Sequence, residues 1–82
     1  MQEEDKLLLQ LFGNKLKRLR EKKYTSLNKF AFDNTLLTSA TISRIENANV
    51  DFKFTTLVKI ANALDITPGE LLEGINFKYT DF

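Results

Sequence analysis

Apolar residues in this chain recur at helical spacing in several separate stretches. That pattern limits the chain to a bundle of small helices. Leu8, Phe12, Leu16 and Leu19 fall at i, i+4, i+8 and i+11, one stripe along a helix from about Asp5 to Lys22. Leu57, Ile60, Ala61 and Leu64 fall at i, i+3, i+4 and i+7, with Val58 alongside. Shorter segments lie between them. Ser26 is a good N-cap for a helix over Leu27–Asp33, where Leu27, Phe30 and Ala31 share a face. Thr38 or Ser39 caps a third helix that buries Ile42 and Ile45 and ends near Asn47. Thr67-Pro68-Gly69-Glu70 is a capping box with proline at the first helical position. It opens a short fifth helix over about Pro68–Glu73, which Gly74 stops. Gly13 weakens the first helix by about 1 kcal/mol relative to alanine. Residues 1–10 are therefore read either as an extension of the first helix or as a flexible arm. In the tail, residues 74–82, Ile75, Phe77 and Tyr79 alternate with polar residues, which is a strand pattern. The expected fold class is all-α, five helices with a short C-terminal extension.

Composition narrows the function. A length of 82 residues allows one small domain. The chain has no Cys and no His. Disulfides, thiolate chemistry, the usual general base and the commonest zinc ligand are thereby excluded. No nucleotide loop and no metal-ligand spacing is present. A binding module without metal or cofactor is expected, not an enzyme. Leu7 to Phe12 is apolar, but Glu3, Glu4 and Asp5 precede it where a signal peptide needs cations. No run approaches the ~20 apolar residues of a membrane span. A soluble, cytoplasmic protein is expected. The net charge of +1 hides an asymmetry. Residues 14–29 carry seven cations against Glu21 alone, whereas residues 51–82 carry three cations against five carboxylates. Either the basic stretch serves a polyanion, or its lysines are the solvated face of a helix.

The second and third helices are separated by only a few residues. That makes them a candidate helix-turn-helix, with the third helix (about 38–47) in the DNA major groove. Four stretches add specificity: Phe12 to Arg20 (FGNKLKRLR), Thr41 to Asn47 (TISRIEN), Thr56 to Ile66 (TLVKIANALDI) and Thr67 to Leu72 (TPGELL). Together they resemble the lambda-repressor/Cro-like (XRE-type) helix-turn-helix family over residues 11–73. A stand-alone domain of this size resembles phage repressors and restriction–modification controller proteins. The chain departs from the family pattern in three places. The turn between the second and third helices has no Gly and one extra residue, placed around Asn34 to Leu36. The Gln that follows the second helix cap is Leu27. The Gly after Asn47 is Ala48, which is strained if that position needs a positive φ.

The resemblance implies roles for particular residues. Ser39, Ala40, Thr41, Ser43 and Arg44 would face base edges. Arg44 is the leading candidate, since a guanidinium bonds bidentately to guanine O6 and N7. Ser26, Asn28, Thr38, Asn47, Asn49 and Lys53 would contact phosphate. Several have a plainer reading as caps or loop residues, and Arg44 as a phosphate contact or ion pair. Arg20 and Glu46 match a structural ion pair between the first and third helices. Phe12, Phe30 and Phe54 match core positions. Phe52 and Phe77 do not, and with Ile66, Leu71, Leu72 and Ile75 they are expected to bury against a second copy. A homodimer on a two-fold symmetric operator fits that count. The tail either pairs across that dimer, frays or packs on its own subunit. An activator would also need a patch for RNA polymerase, for which Asp33 is one acidic candidate. The alternative is a protein-interaction module of antitoxin or regulatory-partner type, with the same fold and no sequence-specific DNA binding.

Overall fold

A computed structural model describes residues 2–24, 26–33 and 37–76 of the chain. Helix α1 (Glu3–Lys23) carries Glu3, Glu4 and Asp5 in its first turn and Arg20, Lys22 and Lys23 in its last. Both ends complement the helix dipole. The acids let the helix begin two residues before the expected Asp5, although Gln2 gives no side-chain cap. The helix runs unbroken through Gly13, so residues 3–10 are its first turns and the flexible-arm alternative does not hold for them.

Helix α2 (Leu27–Asp33) begins where Ser26 Oγ accepts the Lys29 backbone N–H at 3.1 Å. Helix α3 (Ser39–Glu46) is capped by Thr38, whose Oγ1 accepts the Thr41 N–H at 3.1 Å. The extra residue expected at 34–36 lies outside the described residues, as does the Leu27 side chain. Helix α4 (Phe54–Ala63) starts three residues before its first expected apolar position, Leu57. Helix α5 (Pro68–Leu72) has the expected reciprocal capping box between Thr67 and Glu70. These short helices are marginal alone and depend on caps and packing.

The core gathers one face from every helix. Phe12 and Leu16 of α1, Phe30 of α2, Ile42 and Ile45 of α3, Ile60 of α4 and Leu71 of α5 are all buried. Helix α1 packs on α3 and α5, α2 on α3, and α4 on α5. Two expectations are corrected here. Phe54 is no core residue: it is 68% exposed at the start of α4. Phe52 is the ring that turns inward, 4.9 Å from Phe12 between centroids. It packs against the core beside Phe12, while Phe54 faces outward. Leu71 belongs to the core of its own chain, with no exposed surface to offer a second copy. The strand pattern from Phe77 onward lies outside the described residues.

Gly13 has a packing reason that its helix propensity hides. A Cβ there would sit 2.5 Å from the Glu46 carbonyl oxygen and 2.7 Å from that of Ile45. The end of α3 thus rests on α1 at a distance only glycine allows. Helices α3 and α4 both end in a left-handed residue that is not glycine. Ala48 and Asp65 each have φ of +58°. Around them the N–H groups of Asn49 and Ala48 reach the carbonyls of Arg44 and Ile45, and those of Ile66 and Asp65 reach Ala61 and Asn62. This is the Schellman arrangement, which usually has glycine at the left-handed position.

Two stability tests follow from these contacts. Gly13→Ala gains about 1 kcal/mol of helix propensity. It meets backbone atoms that cannot rotate away, and such overpacking costs about 1–3 kcal/mol or more. A net loss near 2 kcal/mol is expected in urea unfolding, with Gly69→Ala, whose nearest atom is 3.8 Å away, as an unobstructed control that loses no stability. Asp65→Gly relieves left-handed strain of about 1–2 kcal/mol, less the added freedom of the unfolded chain, for a net gain of about 0.5 kcal/mol. Ala48→Gly gains less, because the Ala48 methyl is buried and its removal costs about 0.8 kcal/mol.

Candidate nucleic-acid interface

The geometry of the site starts on its buried side. Arg20 donates from Nε to Glu46 Oε2 at 2.5 Å and from Nη2 to Glu46 Oε1 at 3.0 Å. The two side chains are only 7% and 6% exposed. The hydrogen bond to Glu46 raises the Arg20 pKa above its ordinary value, against the opposing effect of burial. The guanidinium therefore stays charged wherever the protein is folded. This forked pair, with the Gly13 contact, holds the last turn of α3 against α1. It is the pair expected between the first and third helices.

With Ile42, Ile45 and Glu46 turned inward, the rest of α3 turns outward. Ala40, Ser43, Arg44 and Asn47 recur at i, i+3, i+4 and i+7 and share one outer face. Ala40, Arg44 and Asn47 are exposed and Ser43 is half-buried. The Arg44 guanidinium has no partner among the described residues. Ser39 and Thr41 lie on the two flanks and are half-buried. The Thr41 hydroxyl is 2.9 Å from that of Thr38. Of the five expected base-reading residues, three therefore share the outer face and two border it.

The six expected phosphate residues fall at the two helix starts and the loop after α3. Ser26 and Asn28 are exposed at the start of α2, and Thr38 at the start of α3. Asn49 and Lys53 are exposed in the segment between α3 and α4. Asn47 belongs to the same end but is partly engaged: its Nδ2 donates to the Ser43 carbonyl at 2.9 Å. The plainer reading of Ser26, Thr38 and Asn47, as residues that complete helix ends, is thus also true of them. The Thr38 hydroxyl itself donates to Thr41 Oγ1 at 2.9 Å, and Asn47 Nδ2 also lies 3.4 Å from Ser43 Oγ.

The charge of residues 14–29 does not form a single face, and linear counting missed this. Gly13 and Arg20 turn toward α3. At about 100° per residue, Lys15, Arg18 and Lys22 emerge on the far side of α1. There they line a surface groove of about 220 Å³ with Leu19, Glu73, Gly74 and Ile75. Lys15 Nζ donates to the Glu73 carbonyl in that groove. Helical phase, applied to the charges as well as to the leucines, would have found this division. Arg44 is the single cation of α3 itself. No group of three acidic, Cys or His side chains suited to a metal occurs among the described residues. No helix among them is long and apolar enough to cross a membrane.

Removing one partner of the Arg20–Glu46 pair leaves a buried charge alone. Arg20→Leu or Glu46→Leu is expected to lose about 3–5 kcal/mol of stability, while the double Leu variant recovers most of it. Chemical denaturation of the three variants measures the coupling.

A family model described as a Cro/C1-type HTH DNA-binding domain matches residues 15–76. No curated protein and no solved structure matches the chain.

Proposed function

We propose that this chain, which belongs to the Cro/C1-type helix-turn-helix DNA-binding family over residues 15–76, is a sequence-specific transcriptional regulator. It binds a two-fold symmetric operator as a homodimer, with α3 in the major groove. The observation that carries this reading is the outer face of α3. Ala40, Ser43, Arg44 and Asn47 project together, and the opposite face is held against α1 by Arg20 and Glu46.

Arg44 reads a guanine through its exposed guanidinium. Ser43 reaches a base edge from the same turn, and Ala40 offers its methyl to thymine. Ser39 and Thr41 touch neighbouring bases from the flanks where the helix sits deep. Ser26, Asn28, Thr38, Asn47, Asn49 and Lys53 bind phosphate and set the register of the protein on the duplex. The homodimer uses Phe52, Ile66, Leu72 and Ile75, all half-buried in the single chain, with Phe77 of the tail. Leu71 supports that surface from beneath. The regulator works in the cytoplasm, and RNA polymerase is the partner of an activating form.

Selection of bound duplexes from a genomic library tests this reading. A two-fold symmetric motif is expected. Arg44→Ala is expected to lose its guanine preference, at a cost of about 1–3 kcal/mol in discrimination. Lys53→Ala is expected to weaken all sequences alike and to lower the slope of log K against log salt by about 1. A motif unchanged by Arg44→Ala removes Arg44 from base reading. Absence of duplex binding at both about 50 and 200 mM salt favours the protein-interaction module, to which the short side chains on α3 would then belong.

A further inference from the structure

The first part of α1 carries an exposed apolar stripe. Leu7 is 56% exposed and Leu11 is 39% exposed. Both precede the segment that matches the family model, which starts at residue 15. Glu4, Leu7, Leu11, Asn14 and Arg18 fall at i, i+3, i+7, i+10 and i+14, the spacing of a two-helix seam. This seam points away from α3, because Gly13 and Arg20 occupy the opposite side of the helix. Charge runs along it in one direction, from Glu3 and Glu4 at one end to Lys15 and Arg18 at the other.

The geometry points to a second copy of this chain as the occupant of the seam, with the two α1 helices antiparallel. In that register Leu7 of one copy meets Leu11 of the other. Glu4 comes opposite Asn14 of the second copy, one turn from its Arg18. A two-fold axis beside residue 9 repeats every contact, so the face is complementary to itself. Parallel pairing would set Glu4 against Glu4 and Arg18 against Arg18. Charge therefore selects the direction. Two leucines per copy cover far less than the ~1,200 Å² of a stable complex. The contact is weak in free solution and becomes effective where copies are held side by side. Its leucines lie apart from the proposed dimer surface around Ile66 and Leu72, while Arg18 borders the groove that Ile75 also lines. The contact does not depend on the DNA-binding reading.

Two charge-reversed chains test it by sedimentation equilibrium up to about 1 mM. One carries Glu3→Lys and Glu4→Lys, the other Asn14→Glu and Arg18→Glu. Each alone is expected to self-associate at least tenfold more weakly than the unmodified chain. In a one-to-one mixture, one half of the contact sets the lysine introduced at position 4 opposite the glutamate introduced at position 14. The other half keeps the native arrangement of Glu4 opposite Asn14 and near Arg18. The mixture is expected to restore the association. Leu7→Ser with Leu11→Ser is expected to abolish it without rescue. Circular dichroism of each variant checks that α1 remains helical. Association that is identical in all chains overturns the proposal, since it must come from another surface. An unmodified chain without this association step also overturns it and passes the face to another occupant, such as the tail, residues 77–82, with its three aromatic rings. Folded variants whose mixture is not restored exclude the antiparallel register.

Discussion

The close crossing of α1 and α3 is the contact on which the rest of the structure depends. At one end Gly13 lets the carbonyl oxygens of Ile45 and Glu46 come within a distance that any Cβ would occupy. Two turns further along α1, Arg20 reaches the carboxylate of the same Glu46. One contact is steric and the other electrostatic, and together they leave α3 no freedom to roll. A helix that cannot roll has one outer face. The projection of Ala40, Ser43, Arg44 and Asn47 is therefore a consequence of what lies on the side of α3 away from them. A forked pair suits this role because it constrains direction as well as distance.

The helix ends complete the positioning. Helix α3 has only eight residues, too few to be stable by backbone hydrogen bonds alone. Thr38 closes its start and the reversal at Ala48 closes its end. The reversal directs the chain outward at Asn49, then inward at Phe52, which packs on Phe12, and outward again at Lys53 before α4 begins. Alanine at the left-handed position keeps this reversal at the cost of strain, while its methyl is packed in the core. The chain retains the geometry that glycine would adopt without strain.

Charge is distributed by the same helical phase. The basic run in α1 reads as one feature along the chain, yet its members radiate around a cylinder. Lys15, Arg18 and Lys22 sit over the groove beside Glu73 and Ile75, and Arg20 is internal. The surface of α3 is correspondingly modest in charge, with Arg44 as its one cation. Its outer face offers a few hydrogen-bonding groups and one methyl in place of concentrated charge.

The sequence by itself determined the number of helices, most of their caps and the two sides of α3. These are local properties, set by periodicity of 3.6 residues and by side chains that bond to their own backbone. Family motifs added the Arg20–Glu46 pair and the reversal at Ala48. Tertiary structure alone decided which phenylalanine packs against the core, since Phe52 and Phe54 are equally apolar and two residues apart, yet only Phe52 meets Phe12. It also decided that Leu71 is interior, which depends on what α1 and α4 place over α5. The role of Gly13 was equally hidden: propensity marks it as a weak point, whereas the approach of another helix makes it the place where α1 must be glycine. Contacts between residues far apart in the chain carry no local signature, because they exist only once both helices are in place.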